Sequence, residues 1–459
     1  PYDQPVSTSF VAPALNQLSG RIPVANLFGG DPRLGESFVM AYQGEETAKV
    51  LRAMWRTTDG AAIVDGPAEL QLPGGITEGG AQFGDVNGDG NLDLLVSVIP
   101  FGGDAPAVAV SLGDGEGSLG AAEIDPTFEQ FVADDVYCFG RPVFRGTQRW
   151  PLAVADFNDD GITDYVTTTG IAVSHGGGLC PLSPPAGSAP WREVVTADFN
   201  RDGALDIAAI SGEDNAIDFR LGDGAGFFSS ARFARKANPV ALRVGDFDGD
   251  SFTDLMVVER IIIDDKSVDS LAVLYGDAQG PPTVEALMGR FGTITTIEPL
   301  RFALTGTSVD FDPIDDVFLL QEGTRDGEIL REPFSVMVGT ATRSLMAPLI
   351  PDYEVEHAES FNVVNAVVGR FAGAGSPPGV VSVTTDYYDQ VGGLWIVEGA
   401  AGRSLGGTNS AIERAELVAD GGCAETINPV CTTWMAVDVD GDGRDEVVGF
   451  DPSPAKCLE

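Results

Sequence analysis

The chain has 459 residues, 43% of them hydrophobic, enough to bury a core and exclude disorder. With 58 Gly and 29 Pro it favours turns over long helices, and no run approaches the roughly 18 apolar residues of a membrane span. A net charge of −42, from 69 acidic against 27 basic residues, argues against nucleic acid and anionic lipid as partners.

Taken in chain order, the elements repeat. Residues 22–42 (IPVANLFGGDPRLGESFVMAY) read as strand, loop, strand. The same plan returns with an acidic loop at 85–93 (DVNGDGNLD), 156–164 (DFNDDGITD), 198–206 (DFNRDGALD), 246–254 (DFDGDSFTD) and 438–446 (DVDGDGRDE). Between the last two lie degenerate copies: SVDFDPIDDVFLL at 308–320, which keeps Asp310, Asp312 and Asp316, and VVNAVVGRFAGAGSPPGVVSV at 363–383, which has no carboxylate. The runs beside each loop are short, apolar and β-branched, so the loop joins two buried strands. A third strand ending in a Gly-Asp turn follows at 108–117, 217–226 and 271–280, and an outer strand completes a four-stranded antiparallel blade.

The spacing suits calcium, a hard cation that takes six to eight oxygens. Side chains at positions 1, 3, 5 and 9 converge with the carbonyl of position 7, and Gly at position 6 permits the sharp turn. The candidate donors are Asp85, Asn87, Asp89, Asn91 and Asp93 in the first loop; Asp156, Asn158, Asp160, Ile162 and Asp164 in the second. They are Asp198, Asn200, Asp202, Ala204 and Asp206 in the third, and Asp246, Asp248, Asp250, Phe252 and Asp254 in the fourth. The fifth offers Asp438, Asp440, Asp442, Arg444 and Glu446, so about five Ca²⁺ ions are expected. An EF-hand would need a bidentate Glu at position 12, where this chain has Val96, Thr167, Ala209, Val257 and Gly449.

These loops, with Phe83-Gly84 before the first and the Leu-Gly-Asp-Gly turns, resemble FG-GAP or VCBS repeats, similar to those of the integrin α-subunit propeller and of some fungal lectin propellers. The resemblance implies an all-β propeller of four-stranded antiparallel blades. Units starting near 22, 78, 150, 191, 240, 302, 362 and 432 predict eight blades in one domain of residues 1–459, or seven if a degenerate unit is misread. The last unit lacks outer strands, and residues 1–20 are expected to complete it and close the ring.

No HExxH, GxSxG or P-loop pattern appears, and His175 and His357 lie far apart. Trp150, Trp191 and Trp434, each before a first strand, are expected to pack between blades, with sugar stacking as the alternative. Tyr387 and Tyr388 are candidate ligand contacts, and the long connections 118–150 and 400–432 are placed on the face opposite the loops. Among the five cysteines, Cys423 with Cys431 and Cys138 with Cys180 are the candidate disulfides, leaving Cys457 over. The start at Pro1 reads as mature numbering of a secreted chain. The function expected is non-catalytic adhesion or recognition of an extracellular glycan or protein. The alternatives are a docking subunit of a surface assembly and a carboxylate-based polysaccharide hydrolase or lyase.

Overall fold

The computed structural model describes residues 24–25, 37–41, 46–55, 62–103, 107–125, 137–138, 141–142, 151–167, 170–175, 178–182, 190–212, 214–235, 237–263, 266–277, 280–291, 314–315, 317–319, 322–325, 328–331, 335–337, 339–343, 361–369, 379–386, 392–398, 410–411, 433–437, 444 and 446–450. Every regular element among them is a β-strand. Strands stand in all eight predicted units. Among the described residues, six sheets have four strands, antiparallel throughout and hydrogen-bonded in strict chain order. This is an all-β fold of propeller type. Residues 1–20, expected beside the final unit, lie outside the described residues.

Contacts divide the chain into two compact units, Leu15–Arg56 with Ala62–Lys236, and Pro1–Ala14 with Thr57–Ala61 and Ala237–Glu459. The first unit contains four of the four-stranded sheets, spanning 24–71, 74–124, 151–182 and 191–234. Each packs on the next through apolar side chains. Ala48 and Leu70 meet Ile76, Leu94 and Val96; Leu95 and Val108 meet Tyr165 and Ala172; Val166 and Val173 meet Trp191 and Ile207.

Burial follows strand order. In the 191–234 sheet the first strand, Trp191–Ala197, is mostly half-buried. Asp206–Ser211 is buried throughout and Ala216–Gly222 nearly so, while Phe228–Ala234 alternates toward solvent. First strands also lie side by side: Pro151–Ala155 neighbours both Gly74–Gly84 and Trp191–Ala197. Sheets that share an inner edge and expose an outer one bury both faces of their middle strands. That is why those strands read as unbroken apolar runs.

The second unit contains the sheets spanning 238–291 and 361–411. It also holds the paired strands Val317–Leu319 with Ser335–Met337, Glu322–Arg325 with Glu328–Arg331, and Thr433–Val437 with Glu446–Phe450. The degenerate 363–383 copy forms the expected strand pair, Phe361–Gly369 with Gly379–Asp386, with its Gly/Pro segment between.

Two boundaries differ from the sequence reading. The outer strand of the 361–411 sheet is Ser410–Ala411, inside the expected long connection 400–432. The chain before it therefore joins third and fourth strands at the end that carries the acidic loops, and the passage to the next sheet is 412–432. The outer strand of the 74–124 sheet is Glu123–Ile124, so residues 118–122 still belong to the turn before it and the long connection starts later. That connection also carries a short ladder, Tyr137–Cys138 with Arg141–Pro142. The strand is short and lacks a β-branched run, which hid it.

Candidate metal centre

All four fully described loops fold alike. The carboxylate of position 1 accepts backbone N–H groups from positions 5 and 6. Asp85 takes Asp89 at 3.2 Å and Gly90 at 2.7 Å, and Asp156 takes Asp160 at 3.2 Å and Gly161 at 2.8 Å. Asp198 takes Asp202 and Gly203, and Asp246 takes Asp250 and Ser251, at 2.9–3.1 Å. The position 3 oxygen accepts the N–H of position 5, and the position 5 carboxylate that of position 7.

Position 6 is left-handed in every case: Gly90 at φ 85°, Gly161 at 82°, Gly203 at 92°, but Ser251 at 66°. Position 4 is left-handed too, in Gly88, Asp159, Arg201 and Gly249. Sequence reasoning missed this second turn, because two of its four residues are not Gly.

Position 9 behaves differently from a simple ligand. Asp93, Asp164, Asp206 and Asp254 are all 0% exposed. Each carboxylate joins two distant backbone groups. Oδ2 accepts the position 2 N–H, of Val86, Phe157, Phe199 or Phe247, at 2.7–2.9 Å. Oδ1 accepts the N–H of Gly113, Ser174, Gly222 or Gly276 at the end of the third strand, at 2.6–2.8 Å. The Gly-Asp turns therefore lie at the same end of each sheet as the acidic loops.

Position 2 is an apolar wedge beneath the loop. Phe157, Phe199 and Phe247 are buried, and the Phe157 and Phe199 rings meet Phe228 and Phe219 edge-on at 5.6 and 5.5 Å.

Burial pushes Asp164 and Asp206 up to about 6 and Asp254 up to about 7, although two backbone N–H groups pull each down. The charges of Asp156, of Asp202 and Asp198, and of Asp248 and Asp246 add to the rise. Burial raises Asp93 as well. Crowded carboxylates held by a shared turn are a place where a cation relieves repulsion.

The residues fit calcium. Every donor is a hard oxygen, with no thiol or imidazole among them, and a carboxylate oxygen that accepts one N–H keeps a lone pair for a metal. Among the described residues, Asp246, Asp248 and Asp254 bring carboxylate oxygens within 4.8 Å of one another. A bound ion would supply charge neutralisation and stiffen the turn.

The remaining candidates are placed unevenly. In the fifth loop Asp438, Asp440 and Asp442 lie outside the described residues; Arg444 is exposed and Glu446 begins a strand. Trp191 is 3% exposed, packs between two sheets and donates its indole N–H to Asp218 at 3.1 Å, so it is a core residue. Tyr387 and Tyr388 lie outside the described residues, in the connection from Gly379–Asp386 to Gly392–Glu398. Cys138 and Cys180 lie on the strands Tyr137–Cys138 and Gly178–Leu182. Cys423, Cys431 and Cys457 lie outside the described residues, as do Trp150 and His357.

Residues 198–257, which hold two of the loops, match the family described as FG-GAP-like repeat. No curated protein matches the chain. Three solved structures illustrate its similarities. The Dos1 propeller is 12% identical, with 94% of this chain and 93% of that one covered and a TM-score of 0.43. BBS1N, solved in complex with ARL6DN, is 11% identical over 81% and 91%, with a TM-score of 0.41. Dihydro-heme d1 dehydrogenase NirN is 10% identical over 86% and 73%, with a TM-score of 0.42.

Proposed function

We propose that this chain is a secreted, calcium-binding propeller acting as a non-catalytic recognition module for an extracellular glycan or protein. One observation carries the reading. In four loops the motif carboxylates are engaged in holding turns and strand ends, so the acidic groups at that rim have a structural task.

Recognition then falls to the other rim. In a sheet whose four strands run in chain order, the first-to-second and third-to-fourth connections leave from one end. The second-to-third connection, and the passage to the next sheet, leave from the opposite end. The segment with Tyr387 and Tyr388 is a second-to-third connection, and 412–432, which follows the outer strand Ser410–Ala411, leads to the next first strand. Long connections on a rigid scaffold are where binding residues concentrate.

The test is binding of the full chain, in calcium, to a glycan array and a panel of extracellular proteins. Replacing Tyr387 and Tyr388 with Ala, or shortening 412–432, is expected to weaken binding while leaving the melting temperature unchanged. Binding that survives both changes would put the partner elsewhere. Release of reducing sugar from a polysaccharide would overturn the non-catalytic reading.

A further inference from the structure

Arg343 stands outside every acidic motif, yet it seats its guanidinium on loop 246–254. Nε donates to Asp248 Oδ2 at 2.8 Å and Nη2 donates to Asp250 Oδ2 at 3.0 Å. The guanidinium carbon lies 5.4 Å from the centre of the Tyr275 ring.

The sister loops show what Arg343 supplies. In loops 85–93, 156–164 and 198–206, position 3 is Asn, and its Nδ2 donates to the outer oxygen of the position 5 Asp at 2.9, 3.1 and 2.8 Å. Loop 246–254 has Asp248 at position 3. It lacks that amide donor, and it sets carboxylates at all four side-chain positions where these three loops set them at three. Arg343 provides both the missing donor and a compensating charge.

The placement follows from the repeat. A Cβ at Gly113, Gly222, Gly276 or Gly339 would run into a position 8 carbonyl of its own repeat, that of Leu92, Leu205, Thr253 or Asp315, so these glycines are equivalent. Four residues beyond Gly113, Gly222 and Gly339 stand Gly117, Gly226 and Arg343, at φ 88°, 81° and 57°. The Cα of Gly226 faces Asn158, position 3 of the loop in the preceding sheet; Arg343 reaches Asp248, position 3 in its own preceding sheet. At these two places Gly226 stands against an Asn and Arg343 against an Asp. An Arg in a left-handed conformation is strained, so its surroundings must favour it.

A separate observation concerns the tyrosine against which Arg343 packs. Among the described residues the buried Tyr275 hydroxyl has no hydrogen-bond partner; its ring lies against Arg343, within range of the charges of Asp254 and Asp248.

We propose that Arg343 is the resident cation of loop 246–254: it holds the loop in the metal-free protein and lowers the loop's affinity for a divalent ion. The second half rests on the calcium reading given above. The first half does not.

The experiment compares the full chain with R343G and with D248N/R343G, which rebuilds the Asn158–Gly226 pairing. Each protein is melted in chelator and across a Ca²⁺ titration, with a calcium isotherm. Arg343 is 37% exposed, so its charge is partly screened and the effect of losing it is about tenfold in affinity. R343G is expected to melt lower in chelator, to bind calcium about tenfold more tightly at one site, and to gain more from calcium than the parent. D248N/R343G is expected to recover the chelator melting temperature. If R343G melts like the parent in chelator, or the double variant recovers nothing, the proposal is overturned. If no protein responds to calcium while the chelator loss and recovery still occur, the calcium reading fails and the resident-cation role stands.

Discussion

The N–H of Gly276 donates to Oδ1 of Asp254 across 2.8 Å, tying the end of a third strand to the last residue of the acidic loop. The other oxygen of the same carboxylate takes the N–H of Phe247 at 2.8 Å. Asp93, Asp164 and Asp206 repeat both bonds. A side chain chosen from sequence as a metal ligand is thus also the staple between loop and sheet.

The staple sets an order among loop variants. Asp206→Ala leaves two backbone N–H groups, of Phe199 and Gly222, without their acceptor, which costs about 2–5 kcal/mol for the pair. Asp202→Ala removes an exposed acceptor that water replaces, costing about 1 kcal/mol or less. Urea unfolding in chelator is expected to show that gap, with no ion to confuse it. Equal losses would mean that the buried bonds carry no special weight.

Backbone handedness gives a second contrast. Ser251 holds φ 66° where its sisters are Gly, so Ser251→Gly is expected to stabilise the chain by about 1 kcal/mol. Gly203→Ala, at φ 92°, is expected to cost about 1–2 kcal/mol. Both are read from denaturation midpoints in chelator. A Ser251→Gly variant no more stable than the parent would show that its turn bears no strain.

The pH response follows from the raised carboxylates. Their folded-state values, about 6 for Asp164 and Asp206 and about 7 for Asp254, exceed the ordinary 3.8. The folded state binds protons more strongly, so this contribution to stability is fully present below about pH 4. It is lost as pH rises through 6 to 7. Metal-free protein is therefore expected to lose this contribution between pH 5 and pH 8, and Asp254→Asn is expected to flatten the slope. Thermal melts in chelator across that range decide it. A parent and a variant with parallel pH profiles would rule Asp254 out.

Much of this was legible in the sequence. DxNxDGxxD spacing with apolar flanks marked the loops and their strands, because the ladder and the turn both depend on neighbouring residues. What stayed hidden depends on residues far apart. Phe157 and Phe199 occupy a position the motif leaves open, yet both are wedges under their loops. Gly222 and Gly339 are required because a carbonyl of their own repeat blocks any Cβ, which only the packed sheet reveals. Arg343 meets Asp248 across 95 residues and has no local signature at all. Lining up the third-strand turns would have exposed the glycines, and with them the odd Arg.

Loops of neighbouring sheets are linked: the N–H of Thr163 donates to the carbonyl of Asp85 at 2.6 Å, and the N–H of Asp315 donates to the carbonyl of Asp246 at 2.8 Å. An ion that orders position 1 of one loop therefore also fixes the carbonyl that anchors the next sheet. At a concentration about 100 times its dissociation constant, each ion bound only by the folded state adds about 2.7 kcal/mol. Extracellular modules bind at roughly 10⁻⁴–10⁻³ M, so tens of millimolar Ca²⁺ is the useful range. The parent is expected to melt higher in calcium than in chelator. Asp89→Ala keeps the buried staple of Asp93, so in chelator it is expected to lose no more than Asp202→Ala does, and in calcium to lose part of the calcium gain as well. Asp93→Ala is expected to lose in both conditions. Elemental analysis of dialysed protein supplies the count of ions. A chain that melts identically in calcium and chelator, and carries no bound metal, would leave these loops as turns held by their own hydrogen bonds.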